Sequence, residues 1–345
     1  MRKIVSCILS GALCLALVGC GNTKKSTVES AMVMLPVGPA FMADSAYAFC
    51  QQQCDFGPRT MNSEAHERCG QWIADKFRQF GMQVTTQRAD LRGYDGTILK
   101  STNIIASYRP EQSQRVLLCA HWDSRPWADN DPDEANHHTP VMAANDGASG
   151  VAVMLEVARL ISSQSDSLTL QLGVDFICFD AEDWGTPQWV NTDGSDADTW
   201  ALGAQYWASN FGSTMSGDAS SAAKPRYGIL LDMVGGQGAR FYQEQMSTYF
   251  APDVVRKVWA AAETVGYGSL FPKDEGNPIT DDHLPVNQKA KIPCIDIIPY
   301  YPDCEASSFG PTWHTVNDDM QHIDRNTLQA VGQTLIQVLF SENVE

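Results

Sequence analysis

The run Phe176-Ile-Cys-Phe-Asp-Ala-Glu-Asp-Trp184 leads an apolar stretch straight into three carboxylates, Asp180, Glu182 and Asp183. Val174, Phe176, Ile177, Cys178 and Phe179 have the character of a buried strand, so the acids fall where that strand leaves its sheet. Neighbouring carboxylates repel one another. A cation holding one of them, and a raised pKa on the other, resolves the conflict. The expectation is that Asp183 binds zinc and Glu182 shuttles a proton.

The same pattern recurs along the chain. Residues 116–119 run into Ala-His121-Trp-Asp123, and residues 227–231 end at Asp232. Asn145-Asp146-Gly-Ala-Ser-Gly150 turns into a helical stretch, and Trp313-His314 lies in an aromatic loop. Zinc takes imidazole nitrogen and carboxylate oxygen, and a catalytic site uses three protein ligands with one position open. His121, Asp123, Asp146, Asp183, Asp232 and His314 are therefore candidates. Spacing does not choose among them, because they come from different strand ends. Taken alone, Asp146 is also a plain helix N-cap. No serine or cysteine nucleophile stands out.

Elements with regular patterns must position these groups. Ser63 opens a helix to residue 80, with Cys69, Trp72, Ile73, Phe77 and Phe80 at helical spacing and Gly81 as the stop. Strands are expected at 82–90, 102–108, 116–119, 169–180, 227–231 and 295–298, the last carrying Asp296. Helices are expected at 151–161, 201–209, 254–265 and 326–340. This alternation predicts an α/β fold, a mostly parallel twisted central sheet flanked by helices on both faces. Ligands in such sheets bind beyond the carboxyl ends of the strands, where the acids lie. Residues 124–140, rich in Asp, Asn and Pro, read as a solvated loop, although His137 and His138 could help bind a cation. Residues 212–224 read as a linker of small residues. Trp184 and Trp189, on a polar loop, read as pocket walls.

The chain has 345 residues, 43% of them hydrophobic, and suits one catalytic α/β domain over residues 41–345. Arg2 and Lys3 precede an apolar run at 4–18 that is short for a membrane span. Leu17-Val-Gly-Cys20 resembles a bacterial lipoprotein signal, with residues 1–19 removed and lipid placed on Cys20. Residues 20–40 then form a tether, and the protein is anchored to the cell envelope, facing the periplasm. A net charge of −17 argues against nucleic acid and anionic lipid surfaces and favours cationic ligands such as a free peptide amino terminus. An exported chain permits disulfides, and Cys54–Cys69 and Cys294–Cys304 are candidate pairings. Cys119 and Cys178 read as buried thiols.

Several motifs together resemble a known family. His121-Trp-Asp123, Asn145-Asp146-Gly-Ala-Ser-Gly150, Glu182-Asp183 and Trp313-His314-Thr look like the signature of the zinc aminopeptidase-like fold. Leu231-Asp232-Met-Val-Gly, Asp281-Asp282-His283-Leu-Pro and Trp313 look more like its glutaminyl-peptide cyclotransferase branch. The resemblance covers about residues 55–340. It implies one zinc per chain held by Asp146, Asp183 and His314, with Glu182 as the proton-transfer residue. It implies Asp232 and Asp281 as hydrogen-bonding partners of Glu182, and Trp189, Phe309, Trp313 and Ile279 as substrate contacts. The implied reaction converts amino-terminal glutamine of peptides and proteins to pyroglutamate with loss of ammonia, in a monomer that meets membrane only through its lipid. The chain departs from the animal members in three places. Asp183 stands where they have Glu, no cysteine precedes His121, and Asp296 replaces a histidine.

Two other functions use the same residues. In a zinc aminopeptidase, His121, Asp146, Asp183, Asp232 and His314 would complete a two-metal site. Asp281 and Trp313 count against it, because the resemblance leads to Ser at the first position in peptidases and the indole narrows the space beside the metal. A binding module without catalysis would have lost the base or the ligands, and both are present.

Overall fold

The computed structural model describes residues 35–343, except 165–168, 193–196 and 215–222. Cys20, the signal and most of the expected tether lie outside the described residues, as does most of the 212–224 linker. Among the described residues no helix is long and apolar enough to cross a membrane.

Helix α1 (Ala43–Cys54) is followed by α2 (Glu64–Gln79), whose N-cap Ser63 accepts a hydrogen bond from His66 N. Strands β1 (Gln83–Arg92) and β2 (Ile98–Tyr108) form a hairpin. Then come β3 (Arg115–His121), α3 (Ala148–Ser162), β4 (Gly173–Phe179), α4 (Leu202–Ser209) and a short α5 (Phe211–Thr214). Strand β5 (Gly228–Leu231), helices α6 (Gln245–Phe250), α7 (Pro252–Thr264) and α8 (His283–Gln288), strand β6 (Cys294–Ile297) and helix α9 (Arg325–Ser341) complete the unit.

The six strands lie in the order β1-β2-β4-β3-β5-β6. β4, β3, β5 and β6 run parallel, and β1 and β2 are antiparallel additions at one edge. The sheet is thus mostly parallel, as expected. β1 and β2 run antiparallel to each other because only five residues, 93–97, join them, too few for a crossover. Both faces of the parallel strands are covered. Val116, Leu118 and Ala120 of β3 face the larger core with Val174, Phe176 and Cys178 of β4. Leu117, Cys119, Ile177 and Phe179 face the smaller core beneath α4 and α8. Period-2 burial on both faces gives the continuous apolar runs that marked these strands in the sequence.

Residues from Leu35 onward belong to one compact unit. Val37 N and Phe41 N donate to Gln337 and Gln333 of α9, so residues 35–40 are fastened to the last helix. No described cysteine is paired, so neither Cys54–Cys69 nor Cys294–Cys304 is a disulfide. Buried thiols fill apolar space here, as expected for Cys119 and Cys178. The 124–140 segment is solvated only in its second half, because Ser124, Arg125, Ala128, Asp129 and Asp131 are buried.

Candidate active site

The carboxyl ends of β3, β4 and β5 deliver His121, the Asp180–Asp183 group and Asp232 to one region. Backbone strain aims them. Ala181, Met233 and His314 all hold positive φ (54°, 49° and 55°), a region costly for residues with a side chain. At the end of β4 the turn is stabilised by Asp180, which accepts from Thr102 N, Ala181 N and His66 Nε2. Asp123 then accepts from both Glu182 N and Asp183 N at 3.1 Å. Asp123 is thus a positioning group, not a member of a metal-competent cluster.

Asp146 is not an N-cap. Helix α3 starts two residues later, at Ala148, with Gly147 as its cap at φ 104°. A Cβ at Gly147 would meet Asp123 O and the His121 ring, so only glycine allows the approach. Asp318, which the sequence reading missed, accepts from Asn145 N and Asp146 N at 2.7 and 2.9 Å and fixes this loop.

Two overlapping triplets could hold a metal ion, Asp146–Asp183–His314 and His121–Asp146–Asp232. In the first, His314 Nε2 lies 3.3 Å from Asp183 Oδ1 and 3.6 Å from Asp146 Oδ2. Tetrahedral zinc with bonds of about 2.0–2.2 Å sets its ligands roughly 3.3–3.6 Å apart, so these atoms fit one ion. Asp183 Oδ2 is buried without any hydrogen-bond partner, which suits a carboxylate that holds a cation. Burial, then the Asp146 charge, raises the Asp183 pKa, and a bound cation would reverse that shift. In the second triplet, His121 Nε2 lies 3.0 Å from Asp146 Oδ1 and 3.2 Å from Asp232 Oδ1. Burial would lower the His121 pKa, but hydrogen bonds to Asp123, Asp146 and Asp232 outweigh it and raise it well above the ordinary value.

A cavity of about 250 Å³ opens over this cluster. Asp146, Glu182, Asp232, Asp281 and His314 line its acidic side. Trp200, Ile279, Phe309 and Trp313 line its apolar side, and among the described residues no serine or cysteine lines it. The His314 ring is stacked against Trp313, with centroids 3.7 Å apart, and against Trp200 at 6.1 Å. Burial pushes Glu182 well above the carboxylate range; His121 opposes the shift and the charges of Asp281 and Asp183 add to it. Asp232 and Asp281, both buried beside other acids, are pushed to about 6 and about 7.

Of the expected site residues, the structure brings together Asp146, Asp183 and His314 with Glu182, Asp232, Asp281, Ile279, Phe309 and Trp313. It does not bring in Trp189. That indole is 44% exposed and packs on Trp127, His137 and His138, away from the residues lining the cavity. The cavity wall assigned to it belongs to Trp200, on the same polar loop. Gly185 accommodates this indole, since a Cβ there would collide with the Trp200 ring. A third buried group, Asp281–His283–Asp296, lies behind the acidic side, with His283 Nε2 3.3 Å from Glu244.

Comparisons with known proteins agree with this geometry. The sequence is 51% identical to a glutaminyl cyclase of Bacteroides thetaiotaomicron solved with N-acetylhistamine bound, over 88% of this chain and 99% of that one, with a TM-score of 0.82. It is 50% identical to a structure described as a leucine aminopeptidase precursor from the same organism, over 89% of this chain and 99% of that one, with a TM-score of 0.81. Aminopeptidase YwaD of Bacillus subtilis is 26% identical over 271 residues, 76% of this chain and 50% of that protein, so the chain spans half the length of that relative. The sequence pattern of peptidase family M28 matches residues 103–339, which carry every acid and imidazole of the site, and the chain belongs to that family.

Proposed function

We propose that the protein is a zinc-dependent glutaminyl-peptide cyclotransferase, closing amino-terminal glutamine of peptides and proteins to pyroglutamate and releasing ammonia. The observation that carries this reading is the pairing of Glu182 with the Asp146–Asp183–His314 triplet in a tryptophan-walled cavity. Similarity to a glutaminyl cyclase over most of both chains supports it. Asp146, Asp183 and His314 would hold one zinc ion, which when bound supplies a Lewis acid for the side-chain amide carbonyl.

The chain's own groups do the remainder. Trp200, Phe309, Trp313 and Ile279 enclose the glutamine side chain and exclude water from it. Closure is intramolecular, so positioning supplies much of the acceleration. The substrate α-amine nitrogen bonds to the side-chain amide carbon, and the bond from that carbon to the amide nitrogen breaks. Glu182 accepts the proton leaving the amine and passes it to the departing nitrogen, which leaves as ammonia. An α-amine of pKa about 7.7–8.0 needs only a weak base near neutrality. Asp232 and Asp281, raised to about 6 and about 7, line the same cavity as Glu182 and offer further acceptors that keep the shuttled proton inside it.

The peptidase reading rests on the His121–Asp146–Asp232 triplet. There, however, His121 Nε2 already lies between the carboxylates of Asp146 and Asp232, and Trp313 covers one face of His314. Incubation with a peptide beginning in Gln is the test. Ammonia release from an intact chain supports cyclisation. A liberated amino acid supports peptidase action, and two metals per chain would accompany it.

The mature chain is proposed to be a monomer held at the bacterial envelope, periplasmic side, by lipid on Cys20. Palmitate labelling that disappears in Cys20→Ser tests the anchor, and light scattering tests the monomer.

A further inference from the structure

The 124–140 segment contributes no residue to the cavity, yet it contacts both outer ligands of the proposed metal site. Arg125 is 1% exposed and donates through both Nε and Nη2 to Asp129, each at 2.7 Å. Its Nη1 donates to Asp183 O at 3.1 Å, to Asp183 Oδ1 at 3.3 Å and to Gly185 O at 3.3 Å. Asp129 Oδ1 in turn lies 3.3 Å from His314 Nδ1, on the side of the ring opposite the metal-facing Nε2. One rigid, buried ion pair therefore touches Asp183 and His314, which lie 131 residues apart in the chain. The guanidinium is held in place by Trp127 and Trp200, 5.4 and 4.8 Å from their ring centroids.

The same segment fixes the backbone around both ligands. Asn130 N donates to His314 O at 3.0 Å, and Val316 N donates to Asp131 Oδ2 at 3.0 Å. On the other side, Gln188 N donates to Asp129 Oδ2 at 3.0 Å.

We infer that Arg125 and Asp129 are positioning residues for the metal site: Asp129 fixes the His314 ring so that Nε2 faces the ion, and Arg125 holds Asp183 so that its short side chain reaches it. The chemistry is that of a carboxylate–histidine–metal relay joined to an arginine fork. The inference rests on the one-ion reading above, but not on the reaction assigned to it.

The test is zinc affinity of the whole mature chain, by competition with a chromophoric chelator, with the visible spectrum of the Co²⁺-loaded protein as a second readout. Asp129→Asn and Arg125→Lys are each expected to weaken zinc binding about 10–100-fold and to shift the Co²⁺ bands. A purely structural role would lower the unfolding midpoint of the metal-free protein and leave affinity and bands unchanged. Affinities within about 3-fold of the parent, with unchanged bands, overturn the inference. Asp129→Asn, nearly isosteric, carries the test alone if Arg125→Lys does not fold. Weakened zinc binding in a protein that fails to cyclise Gln peptides sinks the proposed reaction and leaves this inference standing. A parent protein that binds no divalent ion sinks both.

Discussion

His66 and Asp180 meet at 2.8 Å in a fully buried pair that ties helix α2 to the end of strand β4. Trp122 stacks on the imidazole at 4.2 Å. Asp180 thereby fixes the turn at Ala181 that presents Glu182 and Asp183 to the cavity.

This pair has a pH signature. Burial would lower the His66 pKa, but the Asp180 charge and hydrogen bond outweigh it and raise it. A histidine raised in the folded state contributes stability below its unfolded pKa of about 6.5, and loses it as pH rises through the folded value. The difference in unfolding midpoint between the parent and His66→Asn should therefore be large near pH 6 and shrink towards pH 9. A difference that grows with pH would refute the assignment. Removing Asp180 itself, as Asp180→Ala, should cost about 3–5 kcal/mol, because it leaves a buried partner unpaired.

Glu182→Gln keeps the shape of the side chain and removes proton transfer. Cyclisation should fall about 10²–10⁴-fold, with zinc content unchanged. Ammonia release measured beside metal analysis separates this outcome from loss of the ion.

The two tryptophans on the loop after β4 should behave differently. Trp200→Ala removes a cavity wall and should raise KM about 10-fold or more for a short Gln peptide. Trp189→Ala should leave KM for the same peptide near the parent value, because that indole packs on Trp127, His137 and His138 outside the cavity lining.

Asp296 lies fully buried in β6 with neither carboxylate oxygen hydrogen-bonded. Burial, then the charges of Asp281 and Asp232, raises its pKa well above the carboxylate range. A carboxyl raised in the folded state stabilises below its unfolded pKa of about 3.9 and loses that contribution as pH rises through the folded value. Asp296→Asn should match the parent in midpoint at about pH 4 and exceed it in alkali. Thermal unfolding across that range checks both ends.

A ligand that binds only the folded protein stabilises it by mass action. Dialysis against a chelator should lower the unfolding midpoint, and zinc should restore it, with a gain of about 4 kcal/mol at a thousand times Kd. No recovery on zinc addition would contradict the proposed site.

Much of this architecture was legible before any coordinates. Strands β3 and β4 announce themselves because both their faces are buried, and Ser63 marks the start of α2 by its capping chemistry. The directions of β1 and β2 were not legible, since edge-strand composition does not encode orientation. Helix α1 was missed because its buried positions mix Ala, Phe and Cys with Gln53. Asp146, Asp183 and His314 could not be selected by spacing, as they arrive from the loop before α3, the end of β4 and the loop between β6 and α9. Arg125 and Asp129 escaped notice for a related reason: their neighbours Pro126, Asn130 and Pro132 have the composition of an exposed loop. The one available signal was Arg and Asp four residues apart beside Trp127.

Gly185 sets a mechanical limit on the enclosure. Its bare α-carbon is the seat on which the Trp200 ring rests. A single methyl group added there would act as a wedge, displacing the aromatic panel and altering the chamber while every acid and imidazole stayed chemically intact. The bore of this chamber is thus adjustable from a position that does no chemistry.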